Sequence, residues 1–345
     1  MPLVELPAVP GVLTAADIEL SGESIAAAQE PDGAIPWFTG GHTDPWDHVE
    51  SAMALTVAGL WDQARAAYLW SAKTQRGNGS WPAQYRRGVV ENFDADTNFC
   101  AYIAVGVLHF LTVTDDRDFA VELWPTVRAA IDFVLTLQQD RGEIHWAAGE
   151  SGSSGDALLT GCASIHHSLR CAIALAEVVG DPHPHWQSAA ARLGRALRDH
   201  PQAFLDKSRY SMDWYYPILG GALRGAAAHD RIERHWDTFV VADLGIRCVS
   251  DAPWVTGAET CELVLTLDAI GEHRRAHELF AAIQHLRDTD GSYWTGLVYI
   301  DGKRWPEERT TWTAAAVVLA ADALTRTTPA NGIFRQWHTG RKDFR

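Results

Sequence analysis

One short turn recurs along the chain, and it limits the possible folds more than any other feature. In each copy a Gln or Arg ends an apolar helix, a glycine turns the chain, and an aromatic residue follows. The copies lie at 29–37, 75–81, 138–146 and 287–294. Glycine adopts the positive φ that stops a helix without steric cost. A loop and a new helix follow each turn, so the sequence predicts a series of helical hairpins.

Most of the remaining sequence has apolar residues at i, i+3, i+4 and i+7, the spacing typical of amphipathic helices. The predicted helices cover 48–74, 97–113, 119–139, 162–179, 185–199, 259–270, 273–287 and 310–326. The β-branched alternation that indicates strands is nearly absent, except around 296–299. The sequence therefore predicts an all-α fold with short turns.

Two copies of the repeat align at a constant offset, with Gly79 on Gly291 and Gly59 on Gly271. Hairpins that recur roughly every 45–65 residues, about six in this length, predict a closed (α/α)6 barrel, an α-toroid. We expect one domain that spans residues 1–345. An open α-solenoid is the alternative. The long, acidic and aromatic loops favour the closed barrel, because such loops can wall a central cleft.

Charge and composition exclude several classes of protein. The net charge is −15, with 44 acidic and 29 basic residues, and such a surface repels nucleic acids. The five cysteines are scattered without a CxxC motif, and no HExxH metal motif occurs. The N-terminus has no signal-peptide pattern, and we find no apolar run of membrane-spanning length. We expect a cytoplasmic protein with reduced thiols, without a metal, cofactor, nucleic-acid partner or membrane.

The loops that precede the predicted inner helices combine carboxylates with Trp or Tyr, and the chain has 15 Trp. A carboxylate at a helix start is often only an N-cap. Capping does not explain why aromatic residues adjoin these carboxylates. Nor does it explain why the combination recurs in loops at one end of the predicted barrel. Sugar rings stack on aromatic side chains, and hydrolysis of a glycosidic bond needs two carboxyl groups, one of them protonated. The sequence therefore predicts a carbohydrate cleft.

The repeat offset also suggests which carboxyl groups react. At that offset Asp47 falls on Glu259, and Glu50 falls on Glu262. Glu262 lies in the apolar run Cys-Glu-Leu-Val-Leu, where burial would raise its pKa. We predict that Asp47 and Glu262 are the catalytic pair. The predicted substrate-binding residues are Trp46, Glu50, Asp96, His166, Asp213, Trp214, Trp254, Glu259 and Glu308.

A partial resemblance supports a different chemistry on the same scaffold. Gln75-Arg-Gly-Asn-Gly-Ser-Trp81 is similar to the Gln-Trp repeat of squalene and terpene cyclases, and Asp94-Ala-Asp-Thr97 is similar to their acid motif. Thr97 stands where the last Asp of that motif belongs, so the acid cluster is incomplete. The alternatives to a hydrolase are an isoprenoid cyclase or prenyltransferase on an α-toroid and a non-catalytic helical-repeat binding protein.

Over its whole length the chain resembles the methylmannose polysaccharide hydrolases of actinobacteria. The resemblance rests on Asp44-Pro-Trp-Asp-His-Val-Glu50, on Glu259-Thr-Cys-Glu262, on the single-toroid length and on the high Ala and Arg content. It implies a cytosolic, endo-acting glycoside hydrolase that cuts α-(1→4) links of a partly methylated mannan, commonly with inversion. It also implies Asp47 and Glu262 as the catalytic pair, and we expect Asp47 as the acid and Glu262 as the base.

Overall fold

The computed structural model describes residues 5–150 and 152–335 of the predicted single domain. Within them the α-helices are α1 Ala15–Ala28, α2 Pro45–Val57, α3 Trp61–Thr74, α4 Thr97–Ala101, α5 Ile103–Thr114, α6 Arg117–Leu135, α7 Leu159–Val179, α8 Pro184–Asp199, α9 Ser211–Leu219, α10 Ala226–Phe239, α11 Gly257–Ala269, α12 His273–Ala282 and α13 Thr311–Thr325. Short 3-10 helices cover Pro201–Ala203 and Ile283–Leu286. The strands are β1 Gln84–Arg86, β2 Val89–Asn92, β3 Ala95–Asp96, β4 Ala147–Gly149, β5 Gly152–Ser153, β6 Val240–Val241, β7 Gly245–Arg247, β8 Trp254–Thr256, β9 Gly296–Val298 and β10 Lys303–Arg304.

The helices form two concentric rings. In the inner ring α2, α5, α7, α9, α11 and α13 each pack against the next, and α13 packs against α2 to close the circle. The outer helices α3, α6, α8, α10 and α12 each pack on the inner helix that precedes them in the chain. The N-terminal helix α1 packs against α13 and supplies the sixth outer position. The predicted all-α fold and (α/α)6 barrel are confirmed.

Burial distinguishes the two rings. Every residue of the inner helix α2 is buried, including its carboxyl-bearing residues Asp47 and Glu50. In the outer helix α12 only Ala276, Leu279 and Phe280 are buried. An outer helix therefore needs one apolar stripe, whereas an inner helix is enclosed on all sides. Carboxyl groups on an inner helix are costly unless they are hydrogen-bonded or protonated.

The recurring turn fastens each hairpin to the next outer helix. Gln75 Nε2 donates to the carbonyl oxygen of Gly79 within its own turn and to that of Thr126 on α6, both at 2.9 Å. Gln29 and Gln138 make the same pair of bonds, within their turns and to α3 and α8. The glutamine therefore ends one helix and holds the neighbouring hairpin in place.

The glycine of this turn is required by both backbone conformation and space. Gly79 has φ +90°, and a Cβ atom there would lie 2.1 Å from the carbonyl oxygen of Ala129 on α6. In the fourth copy Arg287 replaces the glutamine and forms an ion pair with Asp17 of α1 at 2.6 Å. Gly291 of that copy lies directly against the backbone of α1. The same turn that joins successive hairpins thus also joins the last hairpin to the first helix.

The structure differs from the predicted helices at several points. The predicted helix 48–74 is two helices, α2 and α3, because Gly59 has φ +76° and turns the chain between them. Helices α1, α9 and α10 were not predicted. Helix α9 has only nine residues and contains Pro217, so it shows little helical periodicity.

Short strands lie on the rim where the inner helices begin. The sheet β10-β9-β8-β7-β6 is antiparallel, and its strand β8 leads directly into α11. Strand β3 leads in the same way into α4 and pairs with β4. The predicted strand around 296–299 is β9, whereas the rest of this sheet was not predicted.

One helical segment of the described residues, Thr97–Thr114, is long and apolar enough to cross a membrane by length and composition alone. It comprises α4 and α5, and 72% of it is buried inside the fold. The sequence analysis found no such run, because α4 contributes polar residues at its start. The packing of α5 between α2 and α7 makes the segment a core element of the barrel.

Candidate active site

A cleft of about 500 Å³ opens at the end of the barrel where the inner helices begin. It is lined by residues at the start of four inner helices, namely Asp47 of α2, Thr160 of α7, Met212 of α9 and Trp312 of α13, and by Thr97 at the start of the short helix α4. In the part of the chain that the structure describes, α11 adds no residue to this lining. The cleft is therefore bounded by most of the ring but not by the helix that carries Glu262.

Asp44 fixes the start of α2, and Asp47 follows it in the first turn. Asp44 Oδ1 accepts the N–H groups of Trp46 at 3.0 Å and Asp47 at 2.9 Å, and its Oδ2 accepts the indole N–H of Trp37 at 2.7 Å. Burial raises the pKa of Asp47 well above its usual range, and the adjacent Asp44 carboxylate raises it further. Asp47 is therefore a carboxyl group in the cleft whose protonated form is favoured by its surroundings.

Aromatic rings form much of the cleft wall. Trp46 stacks on Tyr102 with ring centroids 4.4 Å apart and meets Trp312 edge-on at 6.1 Å. Trp37 lies 6.2 Å from Trp312, and Trp146 keeps 38% of its surface exposed. The buried indole N–H of Trp312 has no hydrogen-bond partner among residues 5–150 and 152–335. The wall thus offers apolar faces.

Asp96 lines the same cleft and caps α4. Its Oδ1 accepts the N–H groups of Asn98 at 2.8 Å and Phe99 at 3.1 Å. Burial raises the pKa of Asp96 to about 7, although these two bonds act in the opposite direction. Asp96 is therefore both the N-cap of α4 and a residue of the cleft lining. Its contact with substrate stays a prediction.

Glu50 and Glu262 lie below the cleft floor, around a separate void of about 10 Å³. Trp46 and Tyr216 line both spaces and form the partition between them. The Tyr215 hydroxyl donates to Glu262 Oε2 at 2.5 Å, and the Tyr216 hydroxyl donates to Oε1. A void of this size, lined by polar groups, has room for about one water molecule.

Asp47, Glu50 and Glu262 form a cluster of three buried carboxyl groups. The Tyr102 hydroxyl donates to Glu50 at 3.0 Å, and burial raises the pKa of Glu50 to about 8. Burial also raises the pKa of Glu262 well above its usual range, and Glu50 adds to this, whereas its two tyrosine donors lower it. Because a negative charge on one of these carboxyl groups disfavours ionisation of its neighbours, the protons leave the cluster in successive steps that belong to the cluster as a whole.

Trp214 and His166 were predicted to bind substrate, but neither of them is among the described residues that line the cleft. The Trp214 ring is buried between α9 and α10, where it stacks on Phe239 at 5.4 Å and donates to the carbonyl oxygen of Arg231. His166 Nδ1 lies 2.7 Å from the Gly220 carbonyl oxygen, and burial lowers the pKa of His166 to about 4. Both side chains pack between helices and present no face to the cleft.

Four more predicted binding residues lie outside the cleft lining. Asp213 stands behind it and accepts the hydroxyl of the cleft residue Thr160 at 2.6 Å. Glu259 is buried in the first turn of α11, Trp254 belongs to β8 in the rim sheet, and Glu308 lines a different groove. None of these four is among the described residues that line the cleft.

The sequence analysis missed the roles of Asp44, Tyr215 and Tyr216. A signal for Asp44 exists, since Asp followed by proline, here Pro45 at the first helical position, is typical of a capped helix start. The tyrosine pair has no such signal. Both residues belong to α9, and only the folded ring shows that they face Glu262 on α11.

The described residues contain no group of three or more His, Cys, Asp or Glu side chains that could hold a metal ion. All five cysteines are free. The chemistry that this site can perform with its own groups is proton transfer between carboxyl groups and a ligand stacked on indole rings.

A closed α/α-toroid whose rim carries buried carboxyl groups beside tryptophan has the groups that hydrolysis of a glycosidic bond needs. An "MMP endo-(1,4)-3-O-methyl-alpha-D-mannosidase" of Mycolicibacterium hassiacum is 65% identical over 330 residues, which are 96% of this chain and 92% of that protein. The chain belongs to this family of glycoside hydrolases, which confirms the resemblance seen in the sequence. This membership rules out the two alternatives, an isoprenoid cyclase or prenyltransferase and a non-catalytic helical-repeat binding protein.

Solved structures agree on the fold. A wild-type glycosidase is 15% identical with a TM-score of 0.70 over 90% of this chain and 97% of its own. A D-mannose isomerase is 9% identical with a TM-score of 0.68 over 89% and 96%, and an α-amylase of Clostridium perfringens is 10% identical with a TM-score of 0.65 over 88% and 97%. At these identities the likeness concerns the toroid and not the reaction. No protein-family model matches the chain.

Proposed function

We propose that this hydrolase cleaves internal α-(1→4) bonds of a polysaccharide of 3-O-methylmannose, with inversion at the anomeric carbon. The observation that carries the proposal is the 65% identity to a relative named for that substrate. Identity at this level over nearly the whole chain makes a shared substrate class the simplest expectation. The polymer is neutral, which agrees with an acidic protein that repels anions.

The accessible part of the cleft suits a methyl ether. Phe99, Leu158 and Met212 are half-buried residues of the lining, and Trp146 is more exposed. Methylation removes a hydroxyl donor from the sugar and adds apolar surface, so it favours contact with such side chains. Polar side chains of the lining, among them Gln84, Asn92 and Asn98, remain for the other hydroxyls.

Asp47 is the general acid in this proposal. It lies in the open cleft, and burial together with Asp44 raises its pKa. A carboxyl group that keeps its proton at neutral pH can protonate the leaving oxygen of the glycosidic bond. Asp44 itself is committed to capping α2, so its position beside Asp47 is fixed.

Glu262 is the general base and acts on a water molecule. Two tyrosine hydroxyls donate to Glu262 and favour the anionic form that a general base needs, against the burial that raises its pKa. In this proposal the attacking water would occupy the void beside Glu262, and Trp46 and Tyr216 lie between that void and the cleft. An inverting pair stands about 6.5–9.5 Å apart to leave room for the water.

The test is hydrolysis followed by proton NMR of the first product formed. We expect cleavage of an α-(1→4)-linked 3-O-methylmannose oligosaccharide, with the new reducing end appearing first as the β-anomer. The matched control is the same oligosaccharide without methyl groups, which we expect to react at least about tenfold more slowly. Absence of cleavage would refute the substrate, and an α-anomer as the first product would refute inversion.

A further inference from the structure

A second groove, of about 550 Å³, lies beside the cleft on the same rim. Its floor is formed by Thr310, Thr311 and Ala314 at the start of α13, and one side is formed by the C-terminal half of α1. Helix α1 ends at the rim, because the chain passes from it through one turn and a loop to the start of α2. The groove and the cleft therefore open at the same end of the barrel.

The two spaces share a rigid wall made of two chain segments. Trp37 and Trp312 line the cleft, whereas their neighbours Phe38 and Thr311 line the groove. The Thr311 N–H donates to the carbonyl oxygen of Trp37 at 2.7 Å, and the Thr311 hydroxyl donates to that of Pro36 at 2.8 Å. An extended ligand that leaves the cleft over this wall passes directly into the groove.

The chemistry of the groove selects against anions. Glu23, Glu307 and Glu308 line it, and within the described ranges none of them forms an ion pair. Arg309 is committed to two aspartates of the neighbouring turn, at 3.0 and 3.2 Å. Unpaired carboxylates accept hydrogen bonds from hydroxyl groups, and the half-buried Phe38 offers an apolar face beside them. A neutral, hydroxyl-rich ligand fits this set of groups.

We propose that the groove is a distal sugar-binding subsite, which holds further units of the same polysaccharide chain that is cut in the cleft. The inference rests on the proposed function, since an enzyme that cuts internal bonds has polymer on both sides of the reacting bond. It also gives Glu308 a binding role at a place other than the cleft. Short substrates end within the cleft, so only long ones reach the groove.

The experiment compares the kcat/KM of a short and a long 3-O-methylmannose oligosaccharide, the short one filling only the cleft. Ala27 is exposed on α1 and lines the groove, so Ala27→Trp would fill it. Ala16→Trp is the matched control, because Ala16 is exposed on the same helix away from the groove. We expect Ala27→Trp to lower kcat/KM for the long substrate about tenfold, mainly through KM, and to leave the short substrate unchanged.

Glu308→Gln removes a charge without filling space. We expect it to lower kcat/KM about threefold to tenfold for the long substrate only. Equal effects of Ala27→Trp and Ala16→Trp, or equal effects on both substrates, would overturn the groove proposal while the measured cleavage still supports the proposed function. No cleavage of either substrate by the unmodified enzyme would overturn the proposed function and the groove proposal with it.

Discussion

Three carboxyl groups meet at the centre of the ring, where water is nearly excluded. Asp47, Glu50 and Glu262 are 7%, 2% and 1% exposed, and tyrosine hydroxyls are the donors that Glu50 and Glu262 have. A helix interior enclosed on all sides normally carries apolar residues, so this cluster lowers the stability of the fold. A cost of this kind is typical of active sites, where pKa values are displaced for catalysis.

The Glu50 carboxyl gives a prediction about stability and pH. Burial raises its pKa to about 8 in the folded protein. The unfolded chain releases this proton near pH 4–5, so Glu50 destabilises the fold increasingly as the pH rises from there to about 8. Glu50→Gln removes this penalty, and its amide oxygen can still accept the Tyr102 hydroxyl. We expect a gain of about 1–3 kcal/mol in the free energy of unfolding at pH 8 and little gain at pH 4.5.

Urea unfolding of both proteins at the two pH values measures this difference. A gain of equal size at both values would show that packing, and not the titration of Glu50, causes the change in stability.

At the scale of single elements, the recurring turn sets how hairpins dock on each other. Its glutamine and glycine were visible in the sequence because both are local requirements: a helix must end, and only glycine takes the needed φ. The residues that this turn contacts on the neighbouring helix could not be predicted from the sequence. The carbonyl groups of Thr126 and Ala129 come from the next outer helix, about fifty residues along the chain. Helix α9 could not be predicted for a similar reason, because packing within the ring stabilises it and its own sequence pattern does not.

The close approach at this turn predicts a large effect of one methyl group. In Gly79→Ala the new Cβ atom would lie 2.1 Å from the Ala129 carbonyl oxygen, at a φ of +90°. We expect a loss of roughly 2–4 kcal/mol in the free energy of unfolding. Gly77→Ala is the matched control, because a Cβ at Gly77 meets no atom within 4 Å. Thermal unfolding of the two variants measures this difference in stability. Equal melting temperatures would contradict the docking role of the turn.

At the scale of the whole molecule, ring closure determines which residues share a cleft. Counting hairpins predicted the barrel, and the repeat offset directed attention to Asp47 and Glu262 on two of its inner helices. The sequence could not tell which face of an inner helix points inward. Trp214 and His166 therefore looked like cleft residues, although the folded ring turns them toward neighbouring helices. The direction of a side chain depends on packing across the ring, which no local pattern records.

The central claim is that Asp47 and Glu262 carry out the hydrolysis. The most direct measurement is the kcat of Asp47→Asn and Glu262→Gln on a 3-O-methylmannose oligosaccharide, with Glu259→Gln as the matched control one turn earlier on α11. General acid and base groups each contribute about 10²–10⁴-fold. The account predicts that the first two variants lose at least about 100-fold in kcat while Glu259→Gln stays within about threefold of the unmodified enzyme. A kcat near that of the unmodified enzyme for either Asp47→Asn or Glu262→Gln would contradict it.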